Sequence, residues 1–259
     1  MKLITILIAL ACAQETPKDR LEKSPRHSEW VEVKQGERKV HCFVVYPEVK
    51  EKAPVVILIH ENRGLVDWVR ATADRLAEQG FIAIAPDLLS GMGPKGGKTS
   101  DFENQDAARE ALSKLPADQA TADLNAVCDY AAKIEAANGK IAVGGFCWGG
   151  SQTFKFATKR EKLAAAFVFY GSGPDNKDDI AKIACPVYGF YAENDARVNE
   201  SVKKSQELMK AASKTYDVVT YAGAGHAFMR LGEEANATEA NKKARDDAWK
   251  RWLELLKKM

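Results

Sequence analysis

Short apolar runs recur along the chain from residue 55 onward and predict the strands of one sheet. They occupy residues 55–60, 81–85, 141–145, 164–170 and 187–191, and a last strand is expected around 217–221. The first five are almost continuously apolar, as expected for strands that helices cover on both faces. Ahead of them, residues 29–34 and 39–46 alternate roughly around Gln35-Gly36, which predicts an antiparallel hairpin.

Apolar residues at helical spacing lie between the predicted strands. One set precedes Gly80, and a second set precedes Gly139, where glycine favours the end of a helix. The members are Val66, Val69, Ala73, Leu76 and Ala77, followed by Leu124, Val127, Ala131 and Ile134. Strands that alternate with helices predict an α/β fold, with a mostly parallel central sheet and helices on both faces.

Two further stretches complete the predicted organisation. Residues 89–114 are rich in glycine and proline at first, and we expect an excursion over the upper edge of the sheet, either a functional lid or a mobile loop. Near the C-terminus, an apolar stripe marks a last helix that packs on the core. The stripe consists of Ala244, Ala248, Trp252, Leu255 and Leu256.

Length and composition limit the classes of protein that the chain can belong to. It has 259 residues, of which 46% are hydrophobic and 29% charged, with a formal net charge of +2. One sheet can fill a domain of this size. Because positive and negative residues are interspersed, we expect no nucleic-acid partner. We expect a monomer that acts on a small molecule.

The N-terminal residues have the features of an export signal. Met1-Lys2 precedes the apolar residues 3–11, and Ala11-Cys12-Ala13 offers a cleavage site before Gln14. This apolar run is too short to span a bilayer. We therefore expect a signal peptide at 1–13, a polar linker at 14–28, a catalytic domain at 29–259, and a periplasmic or secreted protein. Lipid attachment at Cys12 is the alternative.

The cysteines show no spacing that suggests a metal site or a disulfide framework. Cys42, Cys128 and Cys185 stand in apolar segments and are expected in the core. An exposed free thiol is at risk in an oxidising compartment, so a cysteine retained there needs burial or a function. The sequence implies neither a metal nor a cofactor.

The segment Gly145-Phe146-Cys147-Trp148-Gly149-Gly150 carries the strongest chemical signal. It follows a predicted strand and precedes a helical stretch, which is the context of a nucleophile elbow with cysteine in place of serine. Flanking glycines allow the chain to fold back tightly, and the N-terminus of the next helix favours a thiolate. We expect Cys147 to be the nucleophile of an enzyme with the α/β-hydrolase fold.

An acid and a histidine follow in the order that this fold requires. Asp195 lies just beyond a predicted strand, with Glu193 as its nearest rival. His226 stands in a glycine-rich loop after the last strand, whereas His27, His41 and His60 lie elsewhere. Asp195 and His226 are thus expected to complete a catalytic triad with Cys147.

The loop after the first parallel strand supplies further candidates. Glu61 and Asn62 occupy the position from which the second oxyanion-hole amide usually comes. The backbone amides of Asn62 and Trp148 are the expected oxyanion donors. By chemistry alone, Glu61 reads better as a solvated loop residue than as a catalytic group.

Taken together, Glu61, the Gly-Phe-Cys-Trp-Gly-Gly segment around Cys147, Asp195 and His226 resemble the dienelactone hydrolase family, which is carboxymethylenebutenolidase-like. The resemblance extends from about residue 40 to the C-terminus. It implies that the resting thiol lies against Glu61, that substrate binding displaces this carboxylate, and that the displaced carboxylate then helps to form the thiolate. It also implies that Arg230, four residues after His226, binds a carboxylate of the substrate.

The sequence departs from the family pattern in two respects. A second substrate-binding arginine is expected shortly after the strand at 81–85, but residues 86–91 contain none. The predicted export signal is the second departure, because dienelactone turnover in the family belongs to intracellular degradation of aromatic compounds.

The predicted function is hydrolysis of an ester or lactone through a thioester acyl-enzyme. A catalytically silent binding protein and a thiol redox protein are the competing classes.

Overall fold

The structure is a computed structural model that describes residues 15–116 and 118–259. Its strands form one sheet of eight. Their bounds are β1 Ser28–Gln35, β2 Arg38–Val45, β3 Ala53–Ile59, β4 Ile82–Pro86, β5 Ala137–Phe146, β6 Ala165–Phe169, β7 Val187–Asn194 and β8 Tyr216–Gly225. The predicted signal peptide, its cleavage site and Cys12 lie outside the described residues.

Helices connect the strands and flank the sheet. Their bounds are α1 Pro17–Lys23, α2 Asp67–Glu78, α3 Gln105–Ser113, α4 Gln119–Ala131, α5 Trp148–Ala157, α6 Lys177–Ala181, α7 Ala196–Ala211, α8 Phe228–Leu231 and α9 Glu239–Leu256. Within residues 15–116 and 118–259, no helix is both long and apolar enough to cross a bilayer.

The strand order is β1-β2-β4-β3-β5-β6-β7-β8. β1 and β2 form the predicted antiparallel hairpin, and β2 also pairs antiparallel with β4. All other neighbours are parallel. The mostly parallel sheet predicted from the apolar runs is therefore confirmed.

Apolar residues fill both faces of the sheet, because alternate side chains of each strand point in opposite directions. On one face Val55 and Ile57 pack with residues of α4 and α5, and on the other Val56 and Leu58 pack with residues of α2 and α9. Trp252 of α9 is fully buried, so the apolar stripe near the C-terminus belongs to the core as expected. Three cysteines are buried as well, namely Cys42, Cys128 and Cys185.

The excursion at 89–114 contains two 3-10 turns and then α3. Asp87 anchors its start, since its carboxylate accepts hydrogen bonds from the backbone and hydroxyl of Thr99 and from the amide of Leu89. Leu89 and residues of α3 form a small apolar cluster against which Trp148 packs. The excursion therefore covers the edge of the sheet near the predicted nucleophile.

The segment expected to be a polar linker contains α1, which the sequence analysis did not anticipate. Thr16 and Asp19 form a capping box, and Pro17 occupies the first turn, where proline is well tolerated. Arg26 donates two hydrogen bonds to the buried carboxylate of Asp74 on α2, and Arg20 lies 2.7 Å from the same group. These ion pairs fix the segment against the domain.

The buried carboxylate of Asp74 should contribute strongly to stability. In Asp74→Asn the two arginines lose their shared anion, so we expect the free energy of unfolding to fall by about 3 kcal/mol. Urea denaturation measures this loss. Glu22→Gln serves as the control, because the exposed Lys18–Glu22 pair should contribute less than about 0.5 kcal/mol. Equal effects of the two substitutions would contradict the assignment.

Candidate active site

Cys147 occupies a tight turn between β5 and α5. Its φ of 56° and ψ of −115° lie in a region that side chains rarely adopt. A Cβ at Gly145 would lie 2.2 Å from the carbonyl oxygen of Gly149, and one at Gly149 would lie 2.3 Å from that of Ile59. Both glycines are thus required by close backbone contacts, and the thiol stands beyond the carboxyl ends of the strands.

His226 and Asp195 reach Cys147 from neighbouring strand ends. Asp195 follows β7 and His226 follows β8, and the two strands are paired in parallel up to Asn194 and Gly225. Nε2 of His226 lies 3.1 Å from Sγ of Cys147, and Nδ1 lies 2.5 Å from Oδ2 of Asp195. The structure therefore brings together the three residues that the sequence analysis selected for a triad.

Glu193, the rival of Asp195, has a different contact. Its exposed carboxylate accepts a hydrogen bond of 2.7 Å from the amide of Gly223. The side chain of Asn194 donates to the carbonyl of the same glycine. Glu193 and Asn194 thus hold the loop that carries His226. Of the three consecutive residues 193–195, Asp195 is the one that contacts the imidazole.

The surroundings of His226 favour its protonated form. The hydrogen bond with Cys147 raises the pKa of His226 to about 9, and the hydrogen bond with Asp195 acts in the same direction against partial burial. Because an isolated imidazole titrates near 6.5, this rise in pKa stabilises the imidazolium that forms when Nε2 takes up a proton. It can therefore hold a proton that it receives from the thiol.

Glu61 is held by Arg230. Nε of Arg230 donates a 2.8 Å hydrogen bond to Oε2 of Glu61, and its guanidinium also reaches Glu234 on the surface. The other carboxylate oxygen of Glu61 is buried without a hydrogen-bond partner. Among the described residues no hydrogen bond joins Glu61 to Cys147. The resting contact implied by the family resemblance is thus replaced by an ion pair.

The proposed oxyanion donors border the thiol. Asn62, Cys147 and Trp148 line one cavity of about 240 Å³. α5 begins at Trp148, so the amide of this residue has no acceptor within the helix. The two loops therefore meet at Cys147, as expected for an oxyanion hole.

His60 supports the loop that carries Glu61 and Asn62. The ring is fully buried, with Nδ1 2.7 Å from the carbonyl oxygen of Glu61, while Nε2 accepts from the amide of Leu88. Burial lowers the pKa of His60, which keeps the ring neutral. Its ring also stacks on Trp148. His60 thus fixes the oxyanion loop without taking part in proton transfer.

A larger cavity of about 720 Å³ lies beside Arg230. Its walls include Trp30, Trp68 and Phe102 together with the cations Arg63 and Lys98. Within residues 15–116 and 118–259, neither of these two cations has an ion pair. The ammonium of Lys98 lies 4.2 Å from the centre of the Trp30 ring. Aromatic walls and positive charges without a carboxylate partner suit an anionic ligand with apolar parts.

Tyr170 was missed by the sequence analysis. It directly follows β6 and lines the smaller cavity together with Cys147. The sequence analysis placed it inside the predicted strand 164–170, whereas β6 ends at Phe169. Among the described residues no cluster of side chains suitable for a metal ion occurs.

A parallel sheet with a strained turn after β5, followed along the chain by an acid and a histidine, defines the α/β-hydrolase class. The sequence profile of the Dienelactone hydrolase family matches residues 40–259. The chain therefore belongs to the dienelactone hydrolase family, and it is a hydrolase.

Individual relatives agree with this assignment. A candidate carboxymethylenebutenolidase of Salmonella typhi is 33% identical over 225 residues, covering 82% of this chain and 80% of that protein. Protein usf of Aquifex pyrophilus is 32% identical over 220 residues, covering 79% and 88%. A candidate dienelactone hydrolase from Klebsiella pneumoniae has a solved structure with a TM-score of 0.78, 26% identity, and coverage of 90% of this chain and 99% of that one. The predicted resemblance and fold class are confirmed.

Removal of the thiol should lower the pKa of His226. In Cys147→Ala the imidazole loses its main stabilising hydrogen bond, so its pKa should move from about 9 toward 6.5. The Hε1 resonance of His226 reports this titration by NMR. Cys128→Ala, which removes a buried thiol in α4, should leave the value unchanged.

The sign of the linked stability follows from the same values. The folded pKa lies above the unfolded one, so the interaction stabilises the protein fully below pH 6.5 and is lost as pH rises through about 9. An unchanged pKa of His226 in Cys147→Ala would show that the hydrogen bond with the thiol does not raise this pKa.

The Glu61–Arg230 pair should show strong coupling in a double-mutant cycle. Arg230→Gln leaves a buried carboxylate without its cation, so the free energy of unfolding should fall by about 3 kcal/mol. The double variant with Glu61→Gln should cost less than the sum of the single changes, because it removes both charges. Urea denaturation of all four proteins measures the coupling.

Glu234→Gln is the matched control, because it removes the exposed partner of the same guanidinium. It should change stability by less than about 0.5 kcal/mol. Simple additivity of Glu61→Gln and Arg230→Gln would rule out the coupling.

Proposed function

We propose that the protein hydrolyses carboxylic esters or lactones of the dienelactone type through a thioester on Cys147. One observation carries this proposal: Nε2 of His226 lies 3.1 Å from Sγ of Cys147 while its Nδ1 meets Asp195. A nucleophile, a base and an orienting acid in this arrangement are the requirements for acyl transfer.

The reaction begins with movement of a proton. The thiol proton of Cys147 passes to Nε2 of His226, whose raised pKa favours retaining it. Asp195 fixes the tautomer and the orientation of the ring, since it accepts the hydrogen at Nδ1. The thiolate then attacks the carbonyl carbon of the ester, and a carbon–sulfur bond forms.

Charge then develops on the former carbonyl oxygen. The backbone amides of Asn62 and Trp148 are placed to donate hydrogen bonds to it, and the N-terminus of α5 adds a favourable dipole. When the intermediate collapses, the bond to the leaving oxygen breaks and His226 returns its proton to that oxygen. A thioester remains on Cys147.

Water completes the cycle. His226 accepts a proton from a water molecule, which attacks the thioester carbon. A second tetrahedral intermediate collapses, the carbon–sulfur bond breaks, His226 returns the proton to Sγ of Cys147, and the free acid leaves. Cys147 is restored, so no cofactor enters the sequence of steps.

The larger cavity supports a carboxylated substrate. Arg230 lines this cavity and is bound to Glu61, which immediately precedes Asn62. A substrate carboxylate that reaches Arg230 would compete with Glu61 for the guanidinium. The freed carboxylate would then be available to assist formation of the thiolate. Arg63 and Lys98 supply positive charge in the cavity where the expected second arginine is missing.

A redox role finds little support in the structure. Reversible oxidation of Cys147 to a disulfide would need an accessible second thiol. The remaining cysteines within the described part of the chain are all buried. The histidine and the aspartate beside Cys147 also favour hydrolysis over a purely binding role.

Hydrolysis of a small panel tests the proposal: an activated aryl ester, a neutral lactone and a carboxylated dienelactone. We expect turnover to fall at least about 1,000-fold in Cys147→Ala. Cys185→Ala, which removes a buried thiol outside the site, should retain turnover.

Each outcome of the panel has a separate meaning. Preference for the carboxylated lactone would support the role of Arg230, and cleavage of neutral esters alone would keep the mechanism but discard that substrate. Full activity in Cys147→Ala would refute the proposed mechanism.

A further inference from the structure

Tyr170 has a strained backbone at the carboxyl end of β6. Its φ is 40°, which is uncommon for a residue with a large side chain. Of the other non-glycine residues with positive φ in the described ranges, Cys147 and Ala227 also lie at the active site. The remaining two, Lys95 and Ser213, lie in exposed turns. Such strain, when the surrounding structure maintains it, is typical of functional sites.

The hydroxyl of Tyr170 is buried without a partner. The residue is fully buried, and no hydrogen bond within residues 15–116 and 118–259 satisfies its oxygen. An unpaired buried hydroxyl costs roughly 1–3 kcal/mol. Phenylalanine would keep the ring contacts with His226 and Phe228 and avoid this cost. The hydroxyl of Tyr170 is therefore available to a partner that the resting protein does not supply.

The position of Tyr170 indicates what that partner is. The residue lines the cavity of about 240 Å³ that also contains Asn62, Cys147 and Trp148. Burial, together with the nearby Glu61 and Cys147, raises the pKa of Tyr170 well above its usual value of about 10. Its hydroxyl thus keeps its proton and acts as a donor rather than as a base.

We propose that the hydroxyl of Tyr170 donates a hydrogen bond to the oxygen of the substrate carbonyl as Cys147 attacks it. Tyr170 is then a catalytic residue that acts beside the amides of Asn62 and Trp148. The O–H bond of Tyr170 stays intact throughout, and only the charge on the substrate oxygen changes. This inference rests on the proposed thioester mechanism.

Tyr221 provides a matched control for Tyr170. It is also a buried tyrosine whose hydroxyl lacks a hydrogen-bond partner among the described residues, and its ring also contacts Phe228. However, Tyr221 lies on β8 and lines a different cavity, beside α9. Both Tyr170→Phe and Tyr221→Phe remove only an unpartnered oxygen, so neither should lower the melting temperature.

Steady-state kinetics of both variants on the activated aryl ester test the inference. We expect Tyr170→Phe to reduce kcat/KM by about 10- to 100-fold, mainly through kcat, because the lost interaction strengthens in the transition state. Tyr221→Phe should remain within about twofold of the unaltered enzyme. Cys147→Ala is included to test the underlying mechanism.

Inhibition by an aryl trifluoromethyl ketone gives a second measure. The thiol of Cys147 adds to this ketone and forms an oxyanion like that of the intermediate. Tyr170→Phe should weaken inhibition by about the same factor as kcat/KM, whereas Tyr221→Phe should not.

The possible results separate the two hypotheses. Activity that depends on Cys147 but is unchanged in Tyr170→Phe, with the same kcat/KM and the same inhibition, would overturn the role of Tyr170. The proposed function would then stand. Parallel losses of activity and melting temperature in both tyrosine variants would also overturn it, because they would indicate a structural role. Activity that persists in Cys147→Ala would overturn the proposed function together with this inference.

Discussion

The close approach of the turn after β5 to the ends of its neighbouring strands is the constraint on which the site depends. A Cβ at Gly149 would meet the carbonyl of Ile59 on β3, and a Cβ at Gly150 would lie 2.5 Å from the carbonyl of Phe169 on β6. Only glycine allows backbones to come this near. The turn therefore brings Cys147 between the oxyanion loop and the end of β6. A larger residue at either glycine would displace all three parts at once, because the interior is close-packed.

Parallel pairing brings the other members of the proposed triad to the same edge. Successive residues at the ends of β7 and β8 are aligned by the register of the two strands, so Asp195 and His226 are placed as a pair. Hydrogen bonds of Glu193 and Asn194 with Gly223 then fix the position of the loop that carries His226. The acid is thus positioned by its own strand, and its neighbours along that strand position the base. This division of roles explains why three consecutive polar residues occur where one acid is sufficient for the chemistry.

Much of this arrangement could be predicted from sequence because it depends on local pattern and chain order. Continuous apolar runs predicted the parallel strands, and the glycines around Cys147 predicted the turn. The contact between Glu61 and Arg230 could not be predicted, since α8 meets the oxyanion loop only through the tertiary fold. Tyr170 was overlooked for a different reason: a tyrosine at the end of an apolar run reads as core, and only its unpaired hydroxyl distinguishes it. Helix α1 was hidden by its polar composition, although its capping residues were visible.

The site holds its charges in two separate groups, and this separation bears on how a substrate would be sensed. Cys147 is hydrogen-bonded to His226, whereas Glu61 forms an ion pair with Arg230 at the edge of the larger cavity. His60, which lies between the oxyanion loop and the start of the excursion, remains neutral and therefore fixes geometry without adding charge. In the proposed mechanism the thiol is therefore activated without Glu61, and a neutral ester needs only the histidine. A substrate that carries a carboxylate would additionally compete for Arg230 and release Glu61 beside the nucleophile. Anionic substrates would then be favoured over neutral ones in two ways. The positive charge of the larger cavity attracts them, and their binding to Arg230 frees the carboxylate of Glu61.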